Sequence, residues 1–261
     1  MITDLELDDF AEIIDDCRTL LTKTIVYNNI SFKNALFQLY SKSVLTMCEI
    51  YTLLKNGYPE GSMALSRNLF ETLVIMNYLY DNQTGQDLIN RFFDDYRVKT
   101  CQDDIAYLKW CIDNHIDSEQ TASLLLEREL ELKMLHEKYK NIIKDTEYFK
   151  QYWWIEKNTT FNSLRKSAGY SENAFYKISC YRVHAGITGS IVKLDDSEEG
   201  VLIGSCENGK EIPMIFSLMS FQTMTYTFFG INKISVDQVL NKIDILLNKV
   251  RSSKLNDSFA N

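Results

Sequence analysis

Two charged residues in a predicted helix that is apolar on most sides are the first candidates for chemistry. Arg67 and Glu71 are four residues apart, so on a helix they share a face, and Tyr78 lies two turns beyond Glu71 on about the same stripe. Burying a guanidinium and a carboxylate is costly unless they pair or lie in a polar cleft. Two interpretations stay open: a structural ion pair that ties helices together, or a cleft wall on which Arg67 meets an anionic ligand.

A second set of candidates is Tyr176, Cys180 and His184, which are also spaced four residues apart. His184 comes just before Ala185-Gly186, where a helix would end, and the negative end of a helix dipole favours a protonated imidazole. The position suits His184 as a general acid/base, and a helix cap or a hydrogen-bonded core histidine is the alternative. For Cys180, a nucleophilic thiolate is one interpretation and structural burial is the favoured one.

A third candidate pair is Tyr96-Arg97, which follows Phe92-Phe93-Asp94-Asp95. If its helix faces the helix of Arg67, Arg97 would supply a second contact to an anion. The alternative is an exposed arginine that pairs with Asp94 or Asp104.

Several known kinds of site are missing from the sequence. It has no glycine-rich phosphate loop of the Rossmann or P-loop type, no G-x-S-x-G elbow and no H-E-x-x-H motif. Its histidines, His115, His136 and His184, are widely separated. The expectation is therefore a protein with neither a metal nor a cofactor.

Composition and charge restrict the class of protein. The 261 residues carry 28 Lys and Arg against 36 Asp and Glu, a formal net charge of -8, which argues against binding duplex DNA. The six cysteines form no C-x-x-C pair and the N-terminus lacks the pattern of a secretory signal, so a cytoplasmic protein with free thiols is expected. Residues 212–232 lack charge, but their Ser, Thr and Gln content favours a buried core helix over a membrane span.

With only 2 prolines and 10 glycines, the chain is predicted to be all-α. Apolar residues recur at helical spacing, and we predict a single bundle of about nine helices over residues 1–251, with a polar tail at 252–261. Between residues 187 and 212 the helical period disappears, which predicts a small β-hairpin or a loop.

Three segments together resemble an uncharacterised bacterial family of helical proteins, a domain of unknown function. They are Leu65 to Glu71, Asp95-Tyr96-Arg97, and Tyr176-x-x-x-Cys180-x-x-x-His184; Ser163 to Gly169 also fits the order of that family. The family typically shows an R-x-x-x-E helix and a Y-x-x-x-S-x-x-x-H helix, and Cys180 stands where serine is commoner. The resemblance covers about residues 36–184.

The same segments resemble, more distantly, the HEPN superfamily of helical toxins and antiphage effectors. Many of its members are metal-independent ribonucleases with an R-x(4–6)-H motif, which this chain lacks, because Arg182 is too close to His184 and Arg128 too far from His136. The resemblance implies an effector whose cleft is built from Arg67, Glu71, Tyr176 and His184 as catalytic residues, with Tyr96, Arg97 and Cys180 binding the substrate. RNA or a small anionic ligand, and a second copy of the chain or a partner protein, are the expected partners. The alternative is a non-catalytic helical binding or regulatory module that uses the same cleft or dimerises.

Overall fold

The computed structural model confirms the all-α prediction. The residues it describes are 2–24, 29–116, 119–143, 152–155, 159–170, 176–177, 179–180 and 209–258. Within them it defines eight helices: α1 (Asp4–Thr22), α2 (Phe32–Lys55), α3 (Pro59–Asp81), α4 (Gln86–Asp113), α5 (Glu119–Ile143), α6 (Phe161–Ser167), α7 (Glu211–Ile231) and α8 (Asp237–Ser258). Residues 176, 177, 179 and 180 are also helical.

Helix ends follow local chemistry. Thr3 and Glu6 form a capping box at the start of α1, with the Glu6 amide donating to Thr3 Oγ1 and the Thr3 amide donating to Glu6 Oε2. At the end of α2, Gly57 adopts φ +77° and the amide of Tyr58 donates to the carbonyl of Leu53 at 2.8 Å. Pro59 then opens α3, where its missing N–H costs nothing.

The chain divides into two compact units. Unit 1 contains residues 1–27, 36–81 and 165–261, and unit 2 contains residues 28–35 and 82–164. The single domain expected over residues 1–251 stays a prediction. Helix α8 continues to Ser258, so the segment predicted as a tail from residue 252 begins as helix.

In unit 1, α7 is the central helix and packs against α3 and α8, while α1 packs on α8. The Tyr40 ring of α2 stacks on Phe221 and Phe228 of α7, with centroids 5.5 and 4.6 Å away, and meets the edge of Phe229. The Tyr40 hydroxyl is hydrogen-bonded to Thr225 at 2.9 Å. Helix α7 covers most of the uncharged stretch, and its burial confirms the predicted core helix. No helix in the described parts of the chain is long and apolar enough to cross a membrane.

In unit 2, α4 and α5 form a hairpin held by charged side chains. Asp94 Oδ2 accepts hydrogen bonds from Lys138 Nζ at 2.7 Å and from the Tyr139 hydroxyl at 2.6 Å. Trp153 and Trp154 are buried, and the Trp153 ring lies 4.9 Å from that of Tyr139, so these tryptophans are packing residues of unit 2.

The insertion predicted at 187–212 falls mostly outside the described residues. Its last positions are described: Gly209 is in a turn with φ +87°, and residues 211 and 212 already belong to α7.

Candidate functional site

Arg67 and Glu71 form the predicted pair on the surface of α3. Arg67 Nε donates to Glu71 Oε1 at 2.9 Å, and the side chains retain 18% and 26% of their exposure. These fractions place the pair at a partly exposed position, neither sealed in the core nor fully in solvent. The pair lies within one helix and so does not by itself connect α3 to a second element.

Tyr176, a helical residue that follows α6 in the sequence, contacts this pair. Its hydroxyl donates to Glu71 Oε1 at 3.4 Å, and Arg67 Cζ lies 5.4 Å from the centre of its ring, a cation–π distance. Burial, with the nearby Cys180 and Glu71, raises the pKa of Tyr176 to about 12. Tyr176 is therefore a neutral hydrogen-bond donor at physiological pH.

Cys180 belongs to the same cluster and lies close enough to Tyr176 to help raise the pKa of its hydroxyl. It is partly buried and carries a free thiol. Burial alone would lower the pKa of the Arg67 guanidinium, but Cys180, Glu71 and Tyr176 raise it above its ordinary value. Arg67 is therefore a permanent cation at the site.

Arg165 is a site residue to which the sequence analysis gave no role. Its Cζ lies 5.4 Å from the centre of the Tyr176 ring, so two guanidinium groups flank one phenol. The residue is buried, and its Nη1 donates to the carbonyl of Tyr170 at 2.7 Å. The only signal in the sequence was its place in the segment Ser163 to Gly169, which fits the family order.

Gly169 explains how Arg165 and Tyr170 come together. It ends α6 with φ +81°, a conformation that glycine adopts without steric cost, and the amide of Tyr170 then donates to the carbonyl of Arg165 at 2.9 Å. Arg165 is thus bonded to the backbone of Tyr170 twice, once through its side-chain Nη1 and once through its main-chain carbonyl. This turn holds the Arg165 guanidinium against the Tyr176 ring.

Aromatic rings packed around Phe70 support the cluster. Phe70, which is buried on α3, has its ring centre 5.4 Å from that of Tyr176 and equally far from Tyr170 and Phe216. The Tyr170 hydroxyl accepts a hydrogen bond from Asn77 Nδ2 at 2.8 Å. Rings held on several sides give Tyr176 little rotational freedom, which keeps the site preorganised.

Tyr96 and Arg97 belong to unit 2, whereas the cluster belongs to unit 1. Arg97 pairs with Asp94 at 3.1 Å and with Glu131 at 2.8 Å, which confirms the predicted partner Asp94. Hydrogen bonding to Glu131 and Asp94 raises the pKa of Arg97. Asp104, the other expected partner, is bonded instead to Arg128 at 2.9 Å. A joint anion contact by Arg67 and Arg97 stays a prediction.

His184 lies outside the described residues, so its role as a general acid/base also stays a prediction. The described part of the chain contains no group of three or more His, Cys, Asp or Glu side chains placed to hold a metal ion.

The cluster combines donors with one acceptor. Arg67 and Arg165 are cations, Tyr176 is a neutral donor, and the Glu71 carboxylate orients Arg67 and accepts from Tyr176. A guanidinium carries five N–H donors in a planar fork that matches carboxylate and phosphate oxygens, and Arg67 Nε is the donor to Glu71. The arrangement therefore suits the recognition of an anionic group.

Comparison with known proteins assigns the chain to a family. Residues 33–201 match the model of DUF5677, a family of unknown function, and the chain belongs to this family. The match includes every residue of the cluster and confirms the resemblance to an uncharacterised family. Neither the curated proteins nor the solved structures give a match.

Proposed function

We propose that this member of DUF5677 binds a phosphate-bearing ligand at the cluster of Arg67, Glu71, Arg165, Tyr176 and Cys180 (the arginine–tyrosine site). One observation carries the proposal: two guanidinium groups lie 5.4 Å from the centre of a single, partly exposed tyrosine ring. Such a concentration of positive charge is notable in a chain with a net charge of -8. Two arginines beside one ring would be a costly choice for core packing alone, because burying a guanidinium removes its hydration.

Each residue has a separate part in this proposal. Arg67 is the more exposed arginine and binds phosphate oxygens through its fork. Glu71 holds Arg67 Nε and so sets the plane of the fork. The Tyr176 hydroxyl donates to Glu71 Oε1 and so helps to hold the carboxylate that orients Arg67. Arg165 is buried and acts from beneath, positioning Tyr176 and adding positive potential.

The chemical form of the phosphate follows from the resemblance to HEPN proteins, which favours an RNA phosphodiester. A ribonuclease would also need a proton donor and acceptor, and His184 is the residue of the sequence that suits this role. Arg67 would then stabilise charge that develops on the phosphate. Toxin-like or antiphage activity belongs to this form of the proposal, and a binding module that carries out no reaction is its alternative.

Phosphate binding is tested by calorimetric titration of the full chain with inorganic phosphate, with adenosine 5′-monophosphate and with a short single-stranded RNA. Arg67→Gln keeps most of the side-chain length and removes the charge, so we expect it to weaken binding of all three probes about 10-fold or more. Arg18→Gln is the matched control, since Arg18 is an exposed arginine of α1 paired with Asp15. Equal affinity in the two variants would contradict the proposal.

Catalysis is tested separately, by incubating the same RNA with the wild-type chain and with His184→Ala and Arg67→Gln. A ribonuclease predicts cleavage that both substitutions abolish while circular dichroism shows that the variants remain folded. Tight binding of an RNA that stays intact would instead identify a non-catalytic phosphate-binding module. The effect of Arg97→Gln on both readouts decides whether Arg97 contributes to the same anion contact.

A further inference from the structure

One face of the α4–α5 hairpin carries a row of exposed apolar side chains that the proposed function does not use. Their exposed fractions lie between 53% and 74%, and they are Tyr96, Tyr107, Trp110, Leu126, Leu130 and Met134 (the hairpin face). The Tyr107 and Trp110 rings stack on each other with centroids 6.2 Å apart. All of them belong to unit 2.

Helix periodicity places these residues on one side of the hairpin. The aromatic residues fall on a single stripe of α4, and the aliphatic residues recur every fourth position along α5. The ion pair Lys109–Glu129 joins α4 to α5 at 2.9 Å. By the same periodicity, Lys109 and Glu129 lie on the side of the hairpin opposite to both the aromatic row and the aliphatic row. The aromatic row and the aliphatic row therefore form one continuous surface.

The ion pairs Asp94–Lys138 and Asp104–Arg128 set the register of the two helices. In this register Tyr107 is about level with Leu126, so the two rows run side by side in opposite directions.

The area of the hairpin face is large for a surface left in water. Three of the six side chains are aromatic, a type that buries about 150–250 Å² each, and the other three are somewhat smaller. At exposed fractions of 53% to 74% the six together present on the order of 800 Å². A standard interface between proteins buries about 800 Å² from each partner, whereas most exposed apolar patches on monomers are smaller. The face is large enough for a specific interface without contributions from any other part of the chain.

We propose that the hairpin face binds the same face of a second copy of this chain, forming a two-fold symmetric dimer with a four-helix interface. A two-fold axis parallel to the helices places α4 of each copy on α5 of the other, so the aromatic row of one copy packs on the aliphatic row of its partner. Two exposed charges of opposite sign agree with this arrangement. Asp103 lies on the aromatic stripe and Lys133 beside the aliphatic row, and the symmetry brings Asp103 of each copy close to Lys133 of the other.

The dimer is tested by sedimentation equilibrium of the full chain, where we expect about 61 kDa, twice the chain mass of 30.4 kDa, at micromolar concentration. Tyr107→Glu and Leu130→Glu each place a carboxylate in the apolar interface, one from each row. Each should raise the dissociation constant of the dimer about 30-fold or more, as for a buried hot-spot residue. Tyr226→Glu is the matched control, because Tyr226 is a similarly exposed tyrosine of α7, and it should leave the dimer unchanged.

The orientation of the copies is tested with Asp103 and Lys133. Asp103→Lys and Lys133→Asp should each weaken the dimer, and a chain carrying both changes should recover much of the lost affinity, because the complementary pair is restored with its signs exchanged. A monomer at all concentrations, or a dimer that tolerates both glutamate substitutions, would overturn the proposal and leave the face to a different protein. If the doubly changed chain is no better than the single variants, the proposed orientation is wrong.

Discussion

Replacing Glu71 by glutamine should strengthen phosphate binding at the arginine–tyrosine site. The amide oxygen of glutamine can still accept the hydrogen bond from Arg67 Nε, which is 2.9 Å long in the native pair. The substitution therefore retains much of the orientation of Arg67 and removes only the negative charge beside it. A phosphate group bound to Arg67 would no longer be repelled by a neighbouring carboxylate.

The magnitude follows from Coulomb's law. A phosphate on the outer nitrogens of Arg67 would lie about 5 Å from the Glu71 carboxylate, where the repulsion between two unit charges is about 1 kcal/mol in a water-like dielectric. Only 18% and 26% of the two side chains is exposed, so this water-like value is the smallest repulsion to expect. We therefore expect inorganic phosphate to bind at least roughly 5-fold more tightly, with a smaller gain at high salt because exposed charges are screened.

The measurement is a calorimetric titration with inorganic phosphate at pH 7, at low and at moderate salt. Glu12→Gln is the control, since Glu12 is a glutamate of the same unit whose partner, Lys242, lies 2.6 Å away on α8. Its removal should leave the affinity as in the wild type. If Glu71→Gln binds phosphate no more tightly than the wild type, the anion does not lie beside Arg67 and the reasoning is wrong.

Two further predictions concern stability. Burial alone would raise the pKa of Asp94, but hydrogen bonds from Lys138 and Tyr139 lower it below its ordinary value, so its stabilising contribution is complete above about pH 4 and lost as the pH falls through the lowered pKa. Asp94→Asn should therefore lower the free energy of unfolding of unit 2 by about 2 kcal/mol at pH 7 and by much less at pH 2–3. Urea unfolding followed by tryptophan fluorescence measures this, because all three tryptophans lie in unit 2. An equal loss at both pH values would contradict the prediction. In unit 1, Tyr40→Phe leaves the buried Thr225 hydroxyl without its 2.9 Å partner and should cost about 1–2 kcal/mol. The double variant Tyr40→Phe/Thr225→Val should lose less free energy of unfolding than the sum of the two single variants. Denaturation followed by circular dichroism measures these losses, and losses that simply add would contradict the coupling.

Much of the fold could be predicted because the signals are local. The capping box of Thr3 and Glu6 is visible in the sequence, and so are Gly57 and Pro59, which separate α2 from α3. Each of these residues acts within a few positions of itself, so its effect does not depend on the tertiary structure. The uncharged stretch was correctly predicted to be a core helix, because most of its polar residues have short side chains. Ser217 and Ser220, for example, donate back to carbonyls of their own helix.

The division into two units could not be predicted, because no change of composition marks it. Helix α2 begins in unit 2 and continues in unit 1, and α6 is divided between the units in the same way. A boundary that runs through helices leaves no Pro-, Gly- or Ser-rich linker in the sequence.

The candidate site was predicted in part, and the limit has a physical cause. Arg67 and Glu71 are on one helix, so their pairing follows from spacing alone. Arg165 reaches Tyr176 only because Gly169 ends α6 and returns the chain at Tyr170. Such a contact depends on a turn and on the packing of two aromatic rings against Phe70, and helical spacing does not contain that information.

The contrast between two charged clusters in this chain supports a functional role for Arg67. At Asp94 the carboxylate is 8% exposed and is held by donors from α5, so its bonds join two helices and their loss would loosen the hairpin. The Arg67–Glu71 pair spans one turn of one helix, and partly exposed pairs of this kind contribute about 0.3–0.5 kcal/mol. Tyr176 contacts the pair from another segment, through a 3.4 Å hydrogen bond to Glu71 Oε1 and a cation–π contact with Arg67. The bond between Arg67 and Glu71 alone therefore contributes little to stability, as expected if the proposed role of Arg67 is to bind a ligand.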